Sequence, residues 1–244
     1  MEYNKQLREI DVGKQYSRRD LLRVLQKENP ELSDNSLSWI LSDELSEGSL
    51  CRIGRNRYIT ASKPVQKTEY IYTLSKTASN ILHTIEKKLP QAEFQIWETI
   101  QYNEFINHQI AQNTIFLEVE KMLIDSVYDL ISENKKLSIL VNPKIADFNR
   151  YNKNDTVVIM KLTTESPAEK INKHQPALEK LITDLAANKL INKIISSSEY
   201  FGIITNAVSC YKISSTALAR YANRRTALSK IQPYLPDELK EKGN

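Results

Sequence analysis

YSRRDLLRVLQKENPELSDNSLSWILSDELSEGSLCRIGRNRYIT, residues 16–60, contains two capped apolar stripes and then a cation-rich alternating segment. Ser17 precedes Arg18, Arg19 and Asp20, and Leu21, Leu22, Val24 and Leu25 follow, so a hydroxyl N-cap, an acid at N3 and an apolar stripe coincide. This predicts a helix start. Asn29-Pro30 ends it, because the residue before proline avoids the α region and proline has no amide proton to donate. A second helix is expected from Ser33 or Asp34, with Leu37, Ile40, Leu41 and Leu45 on a buried face and Gly48 at its left-handed end. Its outer face carries Asn35, Trp39, Ser42 and Ser46, flanked by Ser36 and Ser38. Residues 50–53 and 57–60 then alternate as a hairpin around Gly54, Arg55 and Asn56.

Two short helices followed by a basic hairpin is the order of a winged helix-turn-helix. Small hydroxyl and amide side chains on the second helix suit a close approach to base edges in a major groove. Residues 49–63 hold four cations, Arg52, Arg55, Arg57 and Lys63, and no acid, which points the hairpin at phosphates. Arg18 and Arg19 add to that surface. Residues 1–64 carry eleven Lys/Arg against ten Asp/Glu, so the reading rests on where charge lies, not on its total. The same order also serves protein-interaction modules, and Trp39 has two readings: facing DNA, or packing on the rest of the chain.

With 244 residues, 41% hydrophobic and 26% charged, the chain is long enough for two cores and too apolar to be disordered. We read two domains, residues 1–64 and 65–244. A net charge of +4 is compatible with a nucleic-acid partner without requiring one. Cys51 and Cys210 are the only cysteines and no signal-peptide pattern opens the chain, which favours a reducing cytoplasm. No apolar run approaches the ~20 residues of a membrane helix.

The first helix is expected over residues 2–14, closed by Gly13, and a linker with Pro64 over 61–68. Beyond it the texture becomes α/β. Residues 74–88 and 122–132 read as helices, and 94–98, 113–120, 137–141 and 157–162 as strands. Such alternation implies a central, mostly parallel sheet with helices on its faces. After Pro167 the strands cease, and helices are expected around 178–190, 197–208 and 214–224, with a frayed tail after Pro236.

Five scattered glycines exclude a phosphate-cradling loop, and His83, His108 and His174 lack a second ligand at metal-binding spacing. No cofactor and no metal are expected. One segment invites an enzymatic reading: Glu118 and Glu120 on one side of a strand, Lys121 just beyond, and Glu98 ending the strand before. Acids converging with a lysine at strand ends resemble the PD-(D/E)xK nuclease core, in which carboxylates hold Mg²⁺. The spacing departs from that pattern, since Val119 stands where the second acid belongs. The alternative is that these acids pair with cations of a neighbouring helix. Between Lys212 and Lys230, Arg220, Arg224 and Arg225 occur with no acid, suiting either a helix end or a docking face for an acidic partner or DNA backbone.

Residues 16–22, 37–41 and 47–58 together resemble the winged-helix start of the AbiEi antitoxins, the regulators of type IV toxin–antitoxin operons linked to abortive phage infection. Ile96-Trp97-Glu98-Thr99, residues 116–121, residues 178–185 and Arg220-Tyr221-Ala222-Asn223-Arg224-Arg225 are similar to a less-described branch of that group. The resemblance implies a non-enzymatic repressor binding inverted repeats in double-stranded DNA at its own promoter. It also implies a second domain that counters a nucleotidyltransferase-like toxin without a stable complex. DNA contacts would fall on Arg18, Arg19, Asn35, Ser36, Ser38, Arg52, Arg55 and Arg57. The second half is longer than the compact antitoxin version. Two other readings stand beside it: an Mg²⁺-dependent nuclease with a winged targeting domain, and a regulator whose second domain senses a ligand.

Overall fold

The computed structural model describes residues 7, 10, 11, 14–54, 56–60, 67–106 and 109–240. A short strand, β1 (Gln15–Tyr16), leads into helix α1 (Arg18–Gln26). Ser17 accepts the Asp20 amide, and the Asp20 carboxylate takes the Ser17 amide at 2.9 Å, closing the capping box. Helix α2 (Asp34–Ser46) starts the same way, with Ser33 Oγ accepting the Ser36 amide at 3.1 Å. Gly48, at φ 73°, turns the chain out of it. Strands β2 (Leu50–Gly54) and β3 (Arg57–Thr60) form an antiparallel hairpin turned by Asn56 at φ 51°, and β1 pairs with the far side of β3. The leucines of both helices close with Leu50 and Tyr58 into a core of their own.

Most of the expected 2–14 helix lies outside the described residues, though Leu7 is helical and buried in this core. Residues 61–66 of the expected linker also lie outside them. Its end is anchored: the Thr68 amide donates to the Cys210 carbonyl at 3.3 Å and the Lys212 amide to the Thr68 carbonyl at 2.9 Å.

The remainder is a mixed α/β arrangement on a four-stranded sheet. Along the chain run α3 (Lys76–Lys88), β4 (Phe94–Glu98), β5 (Thr114–Val119), α4 (Ile124–Ser132), β6 (Ile139–Val141), α5 (Ile145–Tyr151) and β7 (Thr156–Lys161). The strand order is β4-β5-β7-β6. The β5–β7 and β7–β6 pairs are parallel and β4–β5 is antiparallel. Residues 99–113, which include a 3₁₀ segment (Thr99–Glu104), connect that antiparallel pair.

Strand periodicity splits the side chains between two cores. Ile96, Ile115, Leu117, Val157 and Ile159 face α3 and α4. Trp97, Phe116 and Val158 face the other side, where α6 (Leu178–Ala187), α7 (Tyr200–Cys210) and α8 (Ser215–Arg224) pack. Two short helices, α9 (Leu228–Ile231) and α10 (Asp237–Lys240), follow. In the described part of the tail, against the expectation of fraying, Leu239 of α10 buries into the second core; residues 241–244 lie outside the described residues. No described helix is long and apolar enough to cross a membrane.

Candidate functional site

The first turn of α2 presents Asn35, Ser36 and Ser38 to solvent, and Arg19 of α1 and Arg57 of β3 are also exposed. These five residues have the accessibility expected of a DNA-contacting face. Arg55 lies outside the described residues.

Arg18 departs from that expectation. Its Nε and Nη2 grip the two Asp34 carboxylate oxygens at 3.0 Å each, and Nη2 also donates to the Asp34 carbonyl at 2.6 Å and to Ser38 Oγ at 2.8 Å. The Arg18 amide meanwhile donates to Asn56 Oδ1 at 2.8 Å. The guanidinium fork is spent inside the protein, locking the starts of both helices and the hairpin turn into one arrangement. Arg18 therefore acts within the protein as a link between the first turns of α1 and α2.

Arg52 is the second correction. It is buried, with Nη1 donating to the Phe105 carbonyl at 3.1 Å, because β2 lies against α7 and its inward side chain meets the second unit. Cys210 Sγ donates to the Arg52 carbonyl at 3.1 Å across the same junction. Trp39 touches the rest of the chain, its ring centroid 5.1 Å from that of Phe201 on α7, while the side chain remains 64% exposed. The outer face of α2 therefore divides into an open first turn and a part abutting α7.

The acids singled out from the second half do not converge. Glu98 is fully buried, its Oε2 accepting the Ser75 amide at the start of α3 and its Oε1 the Asn113 side chain, both at 2.7 Å. Glu120 and Lys121 lie beyond the end of β5 and are exposed. Glu118 points the other way, into the core under α6. There its Oε1 accepts Trp97 Nε1 at 3.0 Å and Lys180 Nζ at 2.6 Å. Lys180 has no exposed surface, also pairs with Asp184 one turn on, and sits 5.2 Å from the Trp97 ring centroid. Arg225 approaches the other Asp184 oxygen at 3.3 Å. Burial alone pulls the Lys180 ammonium's pKa down, but Asp184 and Glu118 outweigh it and hold it above the ordinary lysine range. Two acids and two cations thus neutralise each other inside the core.

Sequence reasoning chose Glu118 and Arg225 but the wrong lysine. The usable signal for Lys180 and Asp184 was their i, i+4 spacing within an apolar helix. All three arginines of the basic stretch engage the loop after β7. Arg224 Nε donates to Thr164 Oγ1 at 2.9 Å, Arg225 Nη1 to Thr163 Oγ1 at 2.7 Å, and Arg220 stands 3.7 Å from Glu165. The structural reading of this basic stretch is the one the contacts support.

The molecule is thus a mixed α/β protein bearing a small helix-and-hairpin unit with a polar open face. A family profile matches residues 36–241, and the chain belongs to that family, DUF6577, a family of unknown function. No curated protein matches. Among solved structures, the crystal structure of the RV2827C protein from Mycobacterium tuberculosis aligns at 10% identity over 96% of this chain and 78% of that chain, with a TM-score of 0.25.

Proposed function

We propose that this chain is a DNA-binding autoregulator and antitoxin of a type IV, abortive-infection toxin–antitoxin system. In this reading it works in the cytoplasm on inverted repeats at its own promoter and opposes a nucleotidyltransferase-like toxin. The observation that carries the reading is the open first turn of α2, with Asn35, Ser36 and Ser38, beside exposed Arg19 and Arg57. Short hydrogen-bonding side chains read base edges while flanking cations fix register on the phosphates. The Arg18–Asp34–Ser38 hydrogen bonds support it too, because groove reading requires the helix to be held at a fixed angle to the hairpin.

The test is binding to the DNA upstream of the chain's own reading frame at two salt concentrations, for wild type and for Arg19→Ala/Arg57→Ala. Each phosphate contact contributes about 0.9 to the slope of log affinity against log salt, so losing both should flatten it by about two. Equal affinity and an unchanged slope in the double variant would refute the surface assignment. The nuclease alternative gains no support from the geometry, since Glu98, Glu118 and Glu120 are spent on separate partners or point apart.

A further inference from the structure

The four-stranded sheet ends on β4 at one side and on β6 at the other, and the two edges differ. Along β4 the Ile96 amide donates to the His174 carbonyl at 2.8 Å, so a later segment of the chain already occupies that edge. Along the outer side of β6 no main-chain group of the described residues does the same. The register identifies the peptide groups left open there. The Val157 amide donates to the Ser138 carbonyl at 2.8 Å and the Asn142 amide to the Ile159 carbonyl at 2.9 Å, so the even-numbered residues of this strand address β7. Ile139 and Val141 therefore turn their amides and carbonyls outward.

Apolar side chains border this edge. Val141 and, at the start of α5, Ile145 are exposed, as is Tyr128 of α4. Helix α4 packs on β6 and β7, buries Val127 and Ile131, and turns Leu130 toward α3. Tyr128, and Asp125 one turn before it, lie on the opposite flank of α4, the side of the free edge. Charge is divided along the strand. Asp125, Lys144 and Asp147 stand at the C-terminal end of β6, and Glu133, Lys135 and Lys136 at its N-terminal end, all of them exposed. The first end is net negative and the second net positive, so the edge is complementary to its own reverse. Any extended chain could bond the free peptide groups, but the reversed charge pattern is one that this chain itself supplies.

We infer that β6 is the contact through which a second copy of this chain joins, antiparallel about a two-fold axis, so that one sheet continues across both chains. Ile139 of each copy exchanges main-chain hydrogen bonds with Val141 of the other, and Leu140 lies beside its counterpart on the axis. The acidic end of each strand meets the lysines of the other. Tyr128, Val141 and Ile145 leave water, which supplies the apolar burial that a three-residue ladder lacks by itself. The pairing does not depend on the DNA-reading proposal, and its test uses no DNA.

Sedimentation equilibrium of the full chain over a range of concentrations measures the association, and hydrogen exchange locates it. The mass should climb from one chain toward two, and the Ile139 and Val141 amides should exchange more slowly as concentration rises. Val141→Pro removes an outward amide while leaving every β6–β7 bond in place, so it should weaken association at least about tenfold. A chain that is still monomeric at about 0.1 mM, or one that associates equally well as Val141→Pro, overturns the pairing. Should Val141→Pro not fold, charge reversal decides. Lys135→Glu/Lys136→Glu and Asp125→Lys/Asp147→Lys should each be monomeric alone, since like charges then meet at both ends, and should associate when mixed. Undiminished self-association of either variant, or no association in the mixture, overturns it as surely.

Discussion

Lys180 shows how much hangs on a single buried charge. Its ammonium has no access to water and satisfies Glu118 and Asp184 at once, so removing it leaves two carboxylates in the core short of their principal cation. Lys180→Met should cost about 3–5 kcal/mol, because an orphaned buried charge is far more costly than the pair is favourable. Adding Glu118→Gln to that variant should recover part of the loss, since an amide still accepts Trp97 Nε1 and carries no charge. The lysine's pKa is raised in the folded state, so its contribution is complete below the unfolded value of about 10.4 and is lost only as pH rises through the folded one. Denaturant midpoints of Lys180→Met against wild type should therefore differ by the same amount from pH 6 to pH 9. A loss below about 1 kcal/mol would mean that water reaches the cluster.

At the level of elements, α2 is aimed by its neighbours, and Arg18 holds it. The fork onto Asp34 and Ser38 joins the first turns of α1 and α2, with Arg18 nearly covered and Asp34 largely exposed. Arg18→Ala should lower stability by about 1–2 kcal/mol. It should also speed hydrogen exchange at the first turn of α2 before the rest of the helix. Arg18→Lys should not restore protection, because a lysine cannot make the two-pronged contact; full rescue by lysine would contradict the fork. This element was legible only in part. Ser17 with Asp20, Ser33, Pro30 and Gly48 are local chemistry, and they marked both helices and the hairpin from residue types alone. Arg18 was readable as a cation on the first helix but not as a strut, since Asp34 becomes its neighbour only after the chain turns. The same limit applied to α6. Leu178, Leu181, Ile182 and Leu185 spelled an amphipathic helix, yet all of residues 178–186 are buried. Its remaining face is covered by α8, whose position no periodicity records. The direction of the β4–β5 pairing was equally silent, because neither strand's side chains record which way its neighbour runs.

At the scale of the whole molecule, the decisive surface is the junction between the helix-and-hairpin unit and the α/β sheet. Two units with separate cores move freely unless their interface is well tied. Here α2 and β2 meet α7 through the Trp39–Phe201 contact, the Arg52 guanidinium on the Phe105 carbonyl and the Cys210 thiol on the Arg52 carbonyl. Asn206 Nδ2 reaches the same Phe105 carbonyl at 2.6 Å, so the hairpin and α7 share one anchor. A charged hydrogen bond from a buried arginine contributes about 1.5–3 kcal/mol, comparable with the margin separating one cooperative body from two. The chain supplies its own reporter, because it has two tryptophans and Trp97 lies fully buried in the second core against Phe116. In Trp39→Phe, which keeps an aromatic ring against Phe201 and leaves Trp97 as the sole indole, the loss of helical circular dichroism and the change in Trp97 emission should coincide on heating. In Trp39→Ala/Arg52→Ala the helical signal should begin to fall first, as the N-terminal unit melts while Trp97 still reports an intact sheet. Coincident transitions in the double variant would show that the two cores are bound by something other than these contacts.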